Sequence, residues 1–256
     1  MNQIPPKNKP EQQEEGNMTL IAHLHELRLR LTRSAFGIFF GVCLCWGFSE
    51  HIFNFVREPA VKYLPGGGLV FTAPMDKFLA HLNLSMVVGL IISSPFWLYQ
   101  LWKFISPALY KNERKLVVGF VGAGTIQFLM GVAFCYYIVL PGAIEFLFNF
   151  GGDLDKPMIT IKDYISFFTQ MAVMFGLTFE IPVVLTFLGF LGVVSQKFLI
   201  EKRRYAIVIN AVIAAIAAPP DTYSMVLLMI PLLIMYEISI ISVGFFEKKK
   251  LVENNP

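Results

Sequence analysis

Six blocks of mainly apolar residues recur along the chain, separated by stretches rich in polar residues, Gly and Pro. A helix rises about 1.5 Å per residue, so about 20 apolar residues cross a hydrocarbon core about 30 Å thick. Helices are the expected spanning form, because lipid offers the backbone polar groups no other partner. We therefore predict an all-α membrane protein with six transmembrane helices, at residues 31–48, 78–102, 116–140, 164–194, 205–218 and 223–246.

The fifth block is the shortest, because Pro219, Pro220 and Asp221 force a turn after it. About 14 helical residues reach only about 21 Å, which is too short to cross a bilayer unaided. We predict short fifth and sixth helices that form a hairpin, with the bilayer thinned locally or the hairpin shielded by neighbouring helices.

The composition agrees with a membrane location, since 55% of the residues are hydrophobic, 15% are charged and the mean hydropathy is +0.61. If the N-terminus is cytoplasmic, most of the 21 Lys and Arg residues fall on the cytoplasmic side, as in most membrane proteins. Both termini are therefore predicted to face the cytoplasm. Residues 1–17 are predicted to form a disordered polar tail, 18–246 the membrane domain and 247–256 a cytoplasmic tail.

The sequence lacks the motifs of the common enzyme classes. It has no glycine-rich loop followed by Lys and Ser or Thr, which a nucleotide phosphate would need, and no serine nucleophile elbow. Its four His and three Cys residues do not have the spacing of a metal site. We predict a protein that is not an enzyme, with no cofactor, metal or nucleic-acid partner, and with an energy source other than ATP.

Glu180 lies in the middle of the fourth block, and Pro182 follows it. A charged side chain at the centre of a membrane span costs roughly 2.5 to 3.5 kcal/mol, so such a residue is by default a functional candidate. The alternative is a buried, protonated acid that hydrogen-bonds within the helix bundle, for example to Gln127.

Two further acids lie in the segments predicted to be cytoplasmic. Glu26 is on the polar side of an amphipathic helix that leads into the first span, where it could form an ion pair with Arg30 worth about 0.2 to 0.5 kcal/mol. Glu113 is the only acid in a basic loop before the third span. It could start that helix by opposing the macrodipole, or it could offer its carboxylate to an arginine.

Four ordered motifs make the chain similar to a known family. They are HLHELRLRL at residues 23–31, YQLWKFISPALYKNER at 99–114, FGLTFEIP at 175–182 and PPD at 219–221. In these motifs the chain resembles the TatC family, the multi-spanning subunits of the twin-arginine protein translocase. The resemblance implies a concave, glove-like bundle of six helices in the cytoplasmic (inner) membrane.

The resemblance also implies a function for the candidate residues. It implies a receptor for the twin-arginine signal peptides of folded proteins, with Glu26 and Glu113 as the arginine-binding carboxylates and with Phe104 and Arg28 nearby. It implies transport together with single-span TatA and TatB partners, driven by the proton-motive force, in a larger complex that contains several copies of the chain.

The family pattern implies further roles inside the membrane and on the outer side. Glu180, with Gln127, would contact a single-span partner within the bilayer. Pro59, Asp221 and Asp76 match outer positions, although Pro59 could simply shape the interfacial segment and Asp221 could simply cap a helix. Many relatives have Glu where this chain has Asp76. The aspartate keeps the negative charge on a shorter side chain.

Two other classes of protein remain open from the sequence. A proton-coupled secondary transporter would use Glu180 as its proton-binding group, but it would normally need more polar residues at mid-depth. A purely scaffolding membrane protein would not need Glu26 or Glu113. Charge reversal at these two glutamates separates a receptor from both alternatives.

Overall fold

The computed structural model of the chain describes residues 9–62, 64, 68–105, 114–149, 158–217 and 222–254. Within these ranges nearly every residue is helical, which confirms the all-α prediction. A π-helical segment, Cys135–Val139, joins two of the helices into one continuous stretch. The α-helices in chain order are α1 Lys9–Gly47, α2 Ser49–Val61, α3 Asp76–Ile92, α4 Ser94–Ile105, α5 Arg114–Phe134, α6 Leu140–Asn149, α7 Ile161–Phe179, α8 Ile181–Phe190, α9 Gln196–Glu201, α10 Arg203–Ala217 and α11 Thr222–Asn254.

Four single stretches of the described chain are long and apolar enough to cross a membrane. Helices α3 and α4, which bend by 56° at their junction, make a fifth if the pair counts as one span. These five fall on the first, second, third, fourth and sixth predicted blocks. The single stretches are Ala22–Gly47, Val118–Leu147, Ile161–Phe190 and Met225–Glu247.

The helices of the predicted hairpin differ in length. The fifth block forms α10, which has 15 residues and is therefore short, as predicted. The sixth helix is longer than predicted, because α11 has 33 residues and continues through Pro231. Neighbouring helices and local backbone adjustments can satisfy the carbonyl that such a proline frees, so a proline need not end a membrane helix. The number of membrane crossings and the orientation of the termini stay predictions.

Both ends of the chain are more helical than the composition suggested. Helix α1 begins at Lys9, inside the segment 1–17 that was expected to be disordered, and α11 extends to Asn254. The early part of α1 is rich in Glu and Gln, which have good helix propensity, so it can extend a helix that the apolar residues stabilise.

Helix α1 packs closely on α3 through two glycines. A Cβ atom on Gly89 would lie 2.6 Å from the backbone nitrogen of Val42, and one on Gly41 would lie 2.7 Å from the carbonyl oxygen of Gly89. Small residues allow two membrane helices to approach in this way, which gives van der Waals contact along their backbones. The side chains of Phe36 and Phe40 on α1 are nevertheless 70% and 66% exposed. Large apolar side chains exposed on this scale fit a surface that faces lipid or a partner helix.

The two ends of the bundle carry different candidate residues. We call the end with Glu26 and Phe104 the Glu26 end, and the opposite end, with α2, the Pro59 end. At the Pro59 end the segments before α3 and α7 form a β-bridge. The N–H of Val70 donates to the carbonyl of Ile159 at 3.0 Å, and the N–H of Ile161 donates to the carbonyl of Val70 at 2.7 Å. The segment that leads into α3 and the segment that leads into α7 are therefore in contact.

Candidate functional site

Glu26 and Arg30 form an ion pair on one face of α1. The guanidinium donates to the same carboxylate oxygen, Oε1, from both Nε, at 2.9 Å, and Nη2. Neither bond engages Oε2. The Arg30 side chain is 13% exposed and that of Glu26 is 35% exposed, so the carboxylate still reaches solvent. The sequence-based alternative of a local ion pair is therefore present, and it leaves part of the carboxylate accessible to a second donor.

The end of α4 lies against the same turn of α1. The ring of Phe104 stacks on that of His23, with centroids 4.6 Å apart and an angle of 28° between the planes. Phe104 also lines a cavity together with Leu27 and Arg30. The fold thus brings Phe104 next to the turn of α1 that carries Glu26. The two residues are far apart in sequence.

Of the other two residues predicted for this site, one is described by the structure and one is not. Arg28 is exposed, and it lies two positions from both Glu26 and Arg30, which on a helix is a different face. Its backbone carbonyl accepts a hydrogen bond from the hydroxyl of Thr32 at 2.8 Å. Glu113 lies outside the described residues.

Glu180 occupies the break between α7 and α8 and is only 8% exposed. Its Oε1 atom has no hydrogen-bond partner within the described chain. Oε2 lies 3.0 Å from the position that a Cβ on Gly124 would take, and the indole Nε1 of Trp102 lies 3.4 Å from that position. Gly124 therefore leaves the space that the carboxyl group fills, between α5, α4 and the α7–α8 break.

The expected bond between Glu180 and Gln127 is not observed among the described residues. The Oε1 atom of Gln127 and the Nε1 atom of Trp102 are buried and unpaired as well. Because most buried polar atoms in proteins have a partner, several unpaired ones in one region are unusual. The buried-acid alternative thus lacks the hydrogen bond to Gln127 that it proposed, and sequence reasoning missed Trp102 and Gly124.

Pro59 lies inside α2 and is buried at the Pro59 end. A proline has no N–H, so it cannot donate to the carbonyl four residues earlier, which is that of Phe55. The hydroxyl of Tyr136 donates to this carbonyl at 2.8 Å. The hydroxyl of Tyr164 donates to the next carbonyl, that of Val56, at 2.6 Å. These contacts give Pro59 a structural role that requires tyrosines from two other helical segments.

Asp76 is 7% exposed and begins α3. Its Oδ2 atom accepts hydrogen bonds from the backbone N–H of Ala73 at 2.8 Å, the N–H of Thr72 at 3.1 Å and the hydroxyl of Thr72 at 3.0 Å. The short side chain of the aspartate thus fixes the turn before α3.

Asp221, the last of the predicted outer residues, lies outside the described residues. No cluster of metal-ligating side chains is found in the described part of the chain.

Comparison with known proteins decides the family. The model of the family "Sec-independent protein translocase protein (TatC)" matches residues 22–231. The chain belongs to the TatC family. TatC of Desulforapulum autotrophicum is 37% identical to it over 93% of the chain and 88% of that protein. TatC of Aquifex aeolicus is 39% identical over 91% of the chain and 98% of that protein.

The fold agrees with this assignment. A crystal structure of "Twin Arginine Translocase Receptor- TatC" superimposes with a TM-score of 0.80 at 38% identity, and the match covers 88% of this chain and 99% of that one. This TatC-family chain is therefore a multi-pass protein of the inner membrane and a component of a protein translocase that works with other Tat components. Family membership favours a protein-transport subunit over both the proton-coupled transporter and the enzyme classes.

Proposed function

We propose that the chain is the signal-peptide receptor of its translocase. In this proposal it binds the twin-arginine signal peptides of folded proteins at its cytoplasmic face through Glu26 and Glu113, with Phe104 and Arg28 beside them. With single-span partners of the TatA and TatB type it then mediates their transport, driven by the proton-motive force and without ATP. Both chain termini face the cytoplasm, and several copies act in one complex.

The observation that carries the proposal is the arrangement around Glu26. Arg30 already donates to Oε1 of this carboxylate, which shows that a guanidinium can bind the group, and neither of these two bonds uses Oε2. Arginine binds carboxylates through short, charge-assisted hydrogen bonds. Phe104, next to this turn, adds an aromatic face on which a guanidinium can stack.

The charge around the site supports selectivity. Isolated carboxylates in an otherwise basic surface attract two adjacent guanidinium groups locally, while the surrounding Lys and Arg side chains repel other cations. A second carboxylate, that of Glu113, would double the attraction. Two arginines on one peptide then bind with a local effective concentration that two separate cations lack.

The test is charge reversal at each glutamate, measured as binding of a fluorescent peptide with two adjacent arginines to the purified protein. We expect Glu113→Lys and Glu26→Lys to abolish binding, while the variants insert into the membrane and elute as the wild type does. Glu50→Lys is the matched control, because Glu50 is an exposed glutamate at the start of α2, at the Pro59 end. Retained binding in both reversal variants would refute the receptor assignment.

Glu180 has a separate role in the proposal. Its buried carboxyl group is unpaired at Oε1 and lies next to the unpaired indole of Trp102, so it would gain a hydrogen bond if a polar side chain of a single-span partner entered this region. An interhelical hydrogen bond of this kind in a membrane is worth about 0.6 to 2 kcal/mol, which suits a contact that must form and break.

A further inference from the structure

A groove of about 540 Å³ runs along an exposed face of α1, beside the junction of α3 and α4. We call it the α1 groove. Arg33 is the residue of its α1 wall that is nearest to the Glu26 end. Its apolar lining includes Phe36, Phe40, Leu44, Ile92 and Phe96. The groove thus combines one cationic side chain with a run of large apolar side chains.

Arg33 is a charged residue within an apolar stretch. It belongs to Ala22–Gly47, which is long and apolar enough to cross a membrane. It is exposed, and it forms no hydrogen bond or ion pair with another residue of the described chain. Charged side chains in membrane spans are costly, and they normally face the interior of the bundle or pair with another group. Because Arg33 lies beside the exposed ring of Phe36 instead, its charge requires an anion from outside the chain.

The length of the groove matches one leaflet of a bilayer. Arg33 and Leu44 are eleven residues apart on one helix, which corresponds to about 16 Å. Half of a hydrocarbon core about 30 Å thick is about 15 Å. Side chains on a helix lean toward its N-terminus, and a long arginine side chain can extend to the membrane surface. The guanidinium of Arg33 can therefore reach the level of the lipid headgroups while the rest of the groove follows the acyl chains.

We propose that the α1 groove binds an anionic phospholipid from the leaflet at the Glu26 end. Its phosphate pairs with Arg33, and one acyl chain lies along Phe36, Phe40 and Leu44. Arginine binds phosphate through charge-assisted hydrogen bonds that are often two-pronged. Residues 26–33 of α1 hold three arginines and one glutamate, and that glutamate is already paired with an arginine, so the local charge favours an anion.

A phospholipid fits this groove better than a partner helix. Membrane helices associate through small residues that allow close approach and through hydrogen bonds between polar side chains. Besides Arg33, the only polar side chain of the lining is Ser93, whose hydroxyl already donates to a backbone carbonyl of α3 at 3.1 Å. The glycines of the lining are covered as well, since a Cβ on Gly37 would lie 2.3 Å from the ring of Phe96 and Gly41 packs on α3. An acyl chain needs neither kind of contact.

The first experiment tests the headgroup. The purified, delipidated protein is titrated with phosphatidylglycerol or with phosphatidylcholine of the same acyl chains, and bound lipid is counted by native mass spectrometry. Only phosphatidylglycerol has a net negative charge, so we expect it to bind about fivefold more tightly. Arg33→Gln should reduce this preference to less than about twofold, whereas Arg33→Lys, which keeps the charge, should retain most of it. Arg204→Gln is the matched control and should keep the full preference, because Arg204 is an exposed arginine on α10 outside the groove.

The second experiment tests the acyl chain with two neighbouring phenylalanines. Phe39 and Phe40 are both 66% exposed, but only Phe40 lines the groove. A lipid that covers part of the Phe40 ring loses that apolar contact in Phe40→Ala, so phosphatidylglycerol should bind about two- to fivefold more weakly. Phe39→Ala removes the same group outside the groove and should change the affinity by less than about 1.5-fold. Equal effects of the two substitutions would show that the groove does not hold the chain.

The third experiment identifies the occupant in the membrane. A photoreactive amino acid at residue 36 should crosslink mainly to phospholipid, which the mass of the adduct shows. A crosslinked single-span protein or a second copy of the chain would mean that a helix fills the groove, and the proposal would be wrong. It would also be wrong if the wild type bound the two lipids equally, or if Arg33→Gln kept the wild-type preference. None of these measurements uses the signal peptide, so the lipid site and the receptor function can fail independently.

Discussion

Tyr136 donates a hydrogen bond to the carbonyl of Phe55, which Pro59 leaves without its usual helical donor. We therefore predict that substitutions of Tyr136 and Pro59 have coupled effects on the stability of the protein. In a regular helix the N–H of residue 59 would donate to the carbonyl of Phe55, but proline has none. The Tyr136 hydroxyl takes over this bond at 2.8 Å, and the tyrosine is only 8% exposed. We therefore expect Tyr136→Phe to destabilise the protein in the wild-type background, and to do so much less when residue 59 is alanine.

The magnitude follows from the hydrogen bond that is lost. Phe55 is 52% exposed and the bond is only partly buried, so its loss should cost about 0.5 to 1.5 kcal/mol, the net contribution of a typical hydrogen bond. In the Pro59→Ala background the new N–H of residue 59 can pair with the Phe55 carbonyl, so the tyrosine hydroxyl becomes nearly dispensable. The coupling between the two substitutions should therefore be about 0.5 to 1.5 kcal/mol, within the usual range for residues that share a partner.

The assay is thermal unfolding of the four proteins of the cycle in one detergent. For a chain of this size, 1 kcal/mol corresponds to about 2 to 4 °C in the unfolding temperature. Tyr137→Phe is the matched control, because Tyr137 is the neighbouring tyrosine and is 68% exposed. Equal effects of Tyr136→Phe with proline and with alanine at residue 59 would refute the reasoning. A normal unfolding temperature with lost transport would instead favour a direct functional role for Pro59.

Two further predictions concern the membrane region. Glu180→Ala should weaken site-specific crosslinking to a single-span partner and leave peptide binding unchanged, and an unaltered crosslinking pattern would leave Glu180 only a structural role. Gly89→Val should destabilise the protein by about 1 to 3 kcal/mol or more, because the new side chain meets the α1 backbone at Val42. Gly119→Val, where a Cβ meets nothing within 4 Å, should have a much smaller effect, and equal loss of stability in both would contradict the proposed α1–α3 packing.

The apolar pattern predicted the helices well where one block forms one element. The prediction was wrong for the second block. The pattern predicted one span at residues 78–102, whereas the structure has two helices that bend by 56° at Ser93. A signal for this break was present. Proline is favoured in the first turn of a helix, which is where α4 has Pro95. The break at Glu180 is similar, because Pro182 lies in the first turn of α8.

The candidate site was predicted less completely than the fold. The Glu26–Arg30 pair is four residues apart on one helix, so its spacing is visible in the sequence. The contact of His23 with Phe104, and that of Tyr136 with the Phe55 carbonyl 81 residues away, depend on how the helices pack. Periodicity says which face of a helix is buried but not which residue lies opposite, so these contacts required the structure.

Helix α4 contacts the surroundings of Glu26 and of Glu180, two of the carboxylates that the proposed function uses. Gln100 lines a cavity together with Leu27 and Arg30, Trp102 lies beside the carboxyl group of Glu180, and Phe104 stacks on α1 at the Glu26 end. These side chains lie within five consecutive residues of one helix, so a rigid-body shift of α4 would move all three. Helices α3 and α4 meet at a 56° bend at Ser93. A peptide that displaces α4 at the Glu26 end would therefore also change the surroundings of Glu180, which gives the receptor site a direct mechanical connection to the site proposed for the partner.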